Sequence, residues 1–259
     1  MIDSHCHLSQ IDYDLPVADL IEMAEKEGVQ KMLDIACDTG DWDELLGVIK
    51  KHKNIYGAIG IHPEYALRDE DDFLKELPRI FSKNSKLLAV GEIGLDYSDE
   101  SIPAEKQKDL FYKQIQIAHQ IQKPIIIHTR DAEADTLEIL NKAYKKGELK
   151  NSGIIHCFSG TLELAKETLR MGFYISISGI VTFKSARNLR DIVKEIPLER
   201  LLVETDCPWL APEPFRGRKN QPAYVVKTLE KVAELKGISP QKLDEITTDN
   251  FKRLFKGEK

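Results

Sequence analysis

Histidine and carboxylate side chains recur in this sequence at the C-terminal ends of short apolar runs. His5 and His7 close the first run, His62 follows the third, Glu92 ends the fourth, His128 the fifth and His156 the sixth, and Asp206 follows the eighth. Five of the seven histidines therefore sit at strand-end positions, whereas His52 and His119 lie in polar or helical stretches. If the runs are β-strands, alternation puts His5 and His7 on one face and Cys6 on the other. Two imidazoles from one strand can then meet one ion, and imidazole with carboxylate is the ligand set of zinc, manganese and similar metals. A single strand-end histidine is more often a hydrogen-bonded core or surface group; the aggregate of His5, His7, Glu92, His128, His156 and Asp206 is what points to a metal site. Glu204 precedes Asp206 by two residues, on the same face and one layer deeper. It either orients a ligand or bound water, or pairs with a basic residue in the core, and Asp3 beneath His5 presents the same choice. Cys157 and Cys207 each follow an inward-facing residue, so alternation sends both toward an outer layer as buried structural cysteines.

Positioning these side chains takes eight strands separated by helices. Strands are expected over residues 1–5, 31–36, 55–61, 87–93, 124–128, 153–156, 173–178 and 200–204. Most are rich in Ile, Val and Leu without strict alternation, as parallel strands covered on both faces are. Helical spacing marks residues 15–28, 103–122, 132–146 and 162–172, several ending near a glycine. Two further helices, 223–236 and 240–255, would close the outer layer. Eight β-α alternations over 259 residues average roughly 30 residues each, the size of one unit of a (β/α)8 barrel. An open doubly wound sheet is the runner-up, but no Gly-rich fingerprint follows the first strand. With no composition break or repeat, residues 1–259 read as a single α/β TIM-barrel domain. Active-site groups of such barrels converge from the C-terminal ends of several strands, which is where the candidates fall.

Composition narrows the function class. Hydrophobic residues make up 42% and charged residues 31%, ordinary for a soluble protein with a sizeable core. The net charge of −6 argues against a broad basic nucleic-acid face, so any grip on phosphate is local or supplied by metal. No apolar run approaches the roughly 18–20 residues of a membrane span. The opening Met1-Ile2-Asp3, with His5 and His7 in the first apolar stretch, does not read as a secretory leader. The four cysteines show no CxxC spacing, so neither a zinc knuckle nor a disulfide framework is expected. A reduced, cytoplasmic protein follows.

The motifs in order are Ser4-His5-Cys6-His7-Leu8, Gly60-Ile61-His62-Pro63, Gly91-Glu92-Ile93-Gly94-Leu95-Asp96-Tyr97, Ile127-His128-Thr129-Arg130-Asp131-Ala132, His156-Cys157-Phe158-Ser159-Gly160 and Glu204-Thr205-Asp206-Cys207-Pro208. Together they resemble the TatD family of metal-dependent deoxyribonucleases over nearly the whole chain. The resemblance implies an amidohydrolase-like barrel holding up to two divalent ions. It gives the first ion His5, His7, Asp206 and a bridging Glu92, and the second His128, His156 and the same Glu92. Relatives in the wider superfamily carry a carboxylated lysine at the bridging position. It also implies substrate-facing roles for His62 and for the stretch from Arg216 through Arg218 to Pro222. Two departures stand out: Glu64, where many members have a second histidine, and Gln221, where glutamate is frequent.

Phosphodiester hydrolysis needs an activated water, neutralised phosphoryl oxygens and a stabilised leaving oxygen. Two clustered divalent ions, magnesium, manganese or zinc, can supply all three. Glu92 and Asp206 are then the catalytic carboxylates, with Asp206 accepting or relaying the water proton. His62 and Arg130 would hold phosphate oxygens, although Arg130 could instead pair with Asp131 or Glu133. Arg216 and Arg218, with Lys219, form a basic rim segment suited to a phosphate backbone, and Lys184 and Arg187 lie on the same rim. Trp209 and Phe215 could stack on a terminal base or pack the loop, and loop packing is the preferred reading. Few aromatics lie among the basic residues, so DNA ends or short oligonucleotides fit better than a long strand track. No obligate protein partner is evident. The alternatives are a metal-dependent ester or amide hydrolase, such as an aminoacyl-tRNA deacylase, and a non-catalytic nucleic-acid-binding protein with a structural metal.

Overall fold

Strands β1 (Ile2–Cys6), β2 (Lys31–Ala36), β3 (Ile55–Ile59), β4 (Leu87–Asp96), β5 (Ile125–Arg130), β6 (Gly153–Ile155), β7 (Tyr174–Ile177) and β8 (Leu201–Val203) pair in chain order as one parallel sheet. The structure is a computed structural model and describes residues 1–9, 13–68 and 71–255. Parallel neighbours need a crossover, and a helix supplies each one. The sheet curls until β8 meets β1. There the seam is polar: Asp206 N–H donates to the His5 carbonyl at 3.0 Å, His7 N–H to the Cys207 carbonyl at 3.0 Å, and Ser4 Oγ to the Val203 carbonyl at 3.0 Å. Asp3 reinforces it, accepting from Thr205 N–H at 2.9 Å and Thr205 Oγ1 at 2.6 Å. The (β/α)8 architecture expected from the sequence is thus the observed one.

Strand ends differ in a way that matters. β4 runs on to Asp96 and β5 to Arg130, with Gly94 opposite His128 and Asp96 opposite Arg130. Glu92 and His128 therefore lie within paired strands and not at their ends. Glycines permit this close pairing. A Cβ on Gly94, at φ +144, would meet the His128 carbonyl oxygen at 1.9 Å, and one on Gly60 would meet Gly91 backbone at 2.8 Å.

The helices are α1 (Val17–Lys26), α2 (Trp42–Lys51), α3 (Asp71–Lys83), α4 (Ala104–Gln120), α5 (Glu133–Lys145), α6 (Leu162–Arg170), α7 (Arg187–Glu195), α8 (Val225–Lys236) and α9 (Pro240–Leu254). α1 buries Leu20, Ile21 and Ala24 at the expected spacing, and Gly28, at φ +86, follows its end. Helices α2, α3 and α7 fall in intervals where no helix was drawn. Gly47 and Pro78 interrupt the first two, and α7 buries only Leu189 and Val193 in a largely charged segment, so breakers and scarce apolar residues masked helices whose faces are amphipathic.

Two hydrophobic clusters result. The larger joins helix faces to the outer face of the sheet, through residues such as Leu20, Leu45, Phe111, Leu140, Val193 and Val232. The smaller fills the barrel with Ile2, Leu33, Ile35, Leu88, Ile126, Ile154 and Leu202, and it includes Phe251, Leu254 and Phe255. The last helix therefore does more than complete the outer layer: its C-terminal end packs against the inner cluster at the end of the barrel opposite the strand C-termini. Asn250 fixes it there, donating from Nδ2 to the carbonyls of Leu198 and Leu201 at 2.8 Å each.

Candidate metal centre

At the strand C-termini the predicted ligands converge. His5 Nε2 and His7 Nε2 lie 3.1 Å apart, and Asp206 Oδ1 lies 3.8 Å from the first and 3.5 Å from the second. On the other side His128 Nδ1 and His156 Nε2 are 3.4 Å apart. Glu92 stands between the groups and gives one oxygen to each. Its Oε2 is 3.3 Å from His5 and 3.8 Å from His7, while its Oε1 is 2.8 Å from His128 and 2.6 Å from His156. Two donors bound to one ion at about 2.0–2.1 Å, in tetrahedral or octahedral geometry, lie roughly 3.0–3.4 Å apart, so each imidazole pair is spaced for a shared ion. The donor set fits divalent metal: nitrogen and carboxylate oxygen, buried, with the two halves joined by one carboxylate.

Local backbone explains the convergence. A register shift between Asp3 and Cys6 breaks the alternation of β1. Asp3 consequently binds Thr205 and touches no ligand side chain. Cys6 points away from the site and donates to the Leu33 carbonyl at 3.4 Å. Asp206 adopts φ +56, a left-handed conformation that aspartate tolerates, which lets its N–H bond the His5 carbonyl while its carboxylate faces His7. Cys157, at φ +42, turns likewise, so alternation fails for it. It is half-buried with Sγ 3.3 Å from Ser178 Oγ, not a core cysteine of the helix layer. Cys207 does lie in the outer core, accepting from the Tyr13 hydroxyl at 3.3 Å.

A second ring of groups holds the imidazoles. His7 Nδ1 lies 3.1 Å from the Ile35 carbonyl, which leaves Nε2 for the site. Glu204, fully buried, accepts the Cys157 N–H at 2.6 Å and lies 3.5 Å from His156 Nδ1. No basic residue pairs with it among the described residues. Asp96 lies 2.9 Å from His128 Nε2 and accepts from Ser98 N–H at 2.9 Å and Ser98 Oγ at 2.6 Å. The sequence reading gave Asp96 no role, although it stands in the Glu92 motif four residues on. Cys37, just beyond β2, was also missed; its thiol donates to Glu92 Oε2 at 3.5 Å. Extending the strand-end rule to β2 would have found it.

His62 joins the cluster from the β3 side. Its ring centroid is 4.5 Å from that of His128, its Nε2 is 3.7 Å from Glu92 Oε1, and its Nδ1 accepts the Glu64 N–H at 3.3 Å. Two buried glutamines of α4 place this rim. Gln114 accepts Ile61 N–H at 2.8 Å and donates to the Ile61 carbonyl at 2.9 Å, while Gln107 accepts Asp96 N–H at 2.8 Å and donates to the Asp96 carbonyl at 2.8 Å. Each clamps the backbone just before His62 or at Asp96. Arg130 ends β5 exposed and without a side-chain partner among the described residues, and Glu133 accepts instead from Thr161. Arg216 and Arg218 are exposed on the rim, where the Arg216 guanidinium lies 3.9 Å from the Phe183 ring. Lys219 pairs with Asp14 at 3.3 Å.

The electrostatics are those of carboxylates buried among imidazoles. Burial would raise the Glu92 carboxyl, but His156, His128 and His5 hold it well below its ordinary range. Burial likewise opposes ionisation of Asp206, and His7, His156 and His5 prevail. Burial disfavours the His7 cation, yet Asp206 and Glu92 push its pKa up to about 9. Burial, reinforced by neighbouring His128, drives His62 down to about 3, so it is a neutral imidazole. Both carboxylates are thus ionised without metal, and His7, His128 and His156, whose cations Glu92 favours against burial together with Asp206, Asp96 and Glu204 respectively, supply the countercharge that metal ions would bring.

A family profile described as TatD related DNase matches residues 2–256. The chain is 42% identical over 259 residues to the uncharacterized metal-dependent hydrolase YabD of Bacillus subtilis, covering 99% of each. It is 30% identical over 267 residues to the human deoxyribonuclease TATDN3, covering 98% of this chain and 94% of the relative. The crystal structure of YJJV, a TatD homologue from Escherichia coli, superposes with a TM-score of 0.90 at 28% identity, covering 99% of this chain and 98% of that one.

Proposed function

The chain belongs to the TatD family of metal-dependent hydrolases, and from that premise we propose that it hydrolyses phosphodiester bonds of DNA, acting at strand ends or on short oligonucleotides. The observation that carries this reading is the division of Glu92, one oxygen to each imidazole pair. A bridge of that kind suits two clustered ions, drawn from magnesium, manganese and zinc. His5, His7 and Asp206 would hold one, His128 and His156 the other. When bound, such ions lower the pKa of water and clamp the attacking and leaving oxygens of an in-line displacement.

The remaining steps fall to side chains. Asp206, an ionised carboxylate at the solvent edge of the cluster, accepts the proton of the attacking water. Neutral His62 offers Nε2 toward the cluster as a hydrogen-bond donor for a phosphoryl oxygen, since its Nδ1 is an acceptor for Glu64 N–H. Arg130, exposed and without a side-chain partner among the described residues, offers its guanidinium for a second, bidentate contact. Glu204 and Asp96 fix the rings of His156 and His128 through the nitrogens that face away from Glu92. Arg216 and Arg218 meet the nucleic-acid backbone on the rim, a local positive patch on a chain of net charge −6.

Purified protein with magnesium, manganese or zinc should release nucleotides from end-labelled single-stranded DNA, and His128→Ala should abolish release. Inactivity on DNA, combined with cleavage of aminoacyl-tRNA or a small ester, would replace the phosphodiesterase reading with the deacylase one. Tight metal binding without hydrolysis of any of these would favour a binding protein.

A further inference from the structure

Two aromatic residues of the loop after β8 have opposite fates. Phe215 is packed, its ring stacked on Tyr224 at 3.9 Å and 10°. Trp209 is 48% exposed. Large apolar side chains left exposed among the described residues are Leu15, Leu67, Tyr144 and Trp209, and only Trp209 makes a ring contact with the histidine cluster. Its ring centroid is 5.0 Å from that of His7 at an interplanar angle of 73°. An edge-to-face contact of this kind occupies at most one face of the indole, so a flat surface remains open beside the site.

The backbone that carries the indole is anchored. Trp209 backbone N–H donates to the Asp206 carbonyl at 3.1 Å, and the Trp209 carbonyl accepts from Asn220 Nδ2 at 2.6 Å. Asn220 is buried and ties the same segment to the Thr205 carbonyl at 2.8 Å. A residue whose task was to pack the loop would have its ring stacked on a loop neighbour, as half-buried Phe215 does. An aromatic face on an anchored backbone, half in solvent and in edge-to-face contact with a candidate metal-ligand histidine, is instead a stacking surface. Every nucleobase has a π-face, and base–aromatic stacking needs no particular sequence.

We propose that Trp209 is the substrate-positioning residue that stacks on the base of the nucleotide whose phosphate lies at the His5–His7–Asp206 side of the centre. This rests on the DNA-hydrolase reading and deepens it. The ring-to-ring distance places the base of that nucleotide, and not a remote one, against the indole. The preference it confers is for a nucleotide over a bare sugar phosphate, without distinguishing among the four bases. Trp209 takes no part in proton transfer.

The test is binding of 2′-deoxyadenosine 5′-monophosphate and of 2-deoxyribose 5-phosphate to the magnesium-loaded protein, by calorimetric titration. Wild type should prefer the nucleotide by about five-fold or more, the lower end for one base stacked on an aromatic ring. Trp209→Phe should keep most of that preference. Trp209→Leu, which retains apolar bulk without a π-face, and Trp209→Ala should lose it by weakening the nucleotide alone. The chain has two tryptophans, and Trp42 is 4% exposed with its indole N–H bonded to the Gly60 carbonyl, so quenching by the nucleotide should come from Trp209. On DNA, Trp209→Leu should raise KM with kcat little changed. No preference in wild type, a preference that survives in Trp209→Leu, or equal weakening of both ligands would overturn the proposal. Because neither ligand is hydrolysed, failure of DNA cleavage sinks the nuclease reading separately and leaves the stacking result to be judged by itself.

Discussion

At the residue scale the centre is organised around Glu92, whose two oxygens face two imidazole pairs. A carboxamide cannot do the same, because one of its two positions becomes a donor. Glu92→Gln should therefore lower the metal stoichiometry measured by calorimetry or atomic absorption as well as activity; unchanged stoichiometry would deny Glu92 its bridging role. Asp96 is the residue the sequence reading overlooked. One of its oxygens accepts two Ser98 donors and the other faces His128 Nε2, so an amide must turn its NH2 against one of them. Asp96→Asn should weaken metal affinity by roughly 10–100-fold, the usual cost of losing a group that orients a metal-bound histidine. Protons compete with metal at His7. Its pKa of about 9 exceeds the 6.5 of an unperturbed imidazole, so its protonation stabilises the metal-free fold below about 6.5 and that contribution is lost as pH rises through about 9. Metal affinity should run the opposite way, rising with pH up to about 9, since binding must expel that proton. Titrations at pH 6.5 and 9 check the sign.

At the element scale, α4 acts on the site although it contributes no ligand. Gln107 and Gln114 stand seven residues apart, two turns of one helix face, and both are fully buried. Each replaces a missing strand neighbour by donating to and accepting from one backbone residue, Asp96 or Ile61. Gln114→Leu would leave the Ile61 N–H and carbonyl buried without partners, at a cost of about 2–4 kcal/mol by chemical denaturation. Activity should fall further than folding explains, because His62 follows Ile61 directly. A variant with wild-type kinetics once folded would confine Gln114 to stability. The same logic explains why this part of the site was illegible in the sequence. A glutamine in an amphipathic helix reads as polar surface, and nothing in local spacing tells which glutamine faces a strand end.

At the scale of the whole molecule, the two ends of the barrel have separate tasks. Phe251, Leu254 and Phe255 pack apolar side chains at the N-terminal end, whereas the C-terminal end holds buried carboxylates and imidazoles. Those groups were gathered against the cost of burial, and metal relieves it. Removing metal with a chelator should lower the thermal midpoint by several degrees: a ligand at a hundred times its Kd adds about 2.7 kcal/mol, and each kcal/mol shifts a protein of this size by about 2–4 °C. An unchanged midpoint in scanning calorimetry would mean the fold is indifferent to its centre. Among the described residues, no helix is long and apolar enough to cross a membrane.

The sequence by itself determined the eight strands and most of the helices between them, and with them the barrel, because hydrophobic periodicity and helix ends are local properties. It also determined which side chains gather at the mouth, since parallel strands in one sheet point their C-terminal ends the same way. Tertiary structure decided what lies beyond that. Only the register shift in β1 and the left-handed turns at Cys157 and Asp206 fixed which neighbours face the site. Only the packing of α4 against β4 and the segment after β3 gave Gln107 and Gln114 their partners. Only the loop after β8 separated a Phe215 stacked on Tyr224 from an open Trp209. These outcomes rest on contacts between residues far apart in the chain, where periodicity carries no information. Backbone pairing and close packing, acting across the whole barrel, supply it.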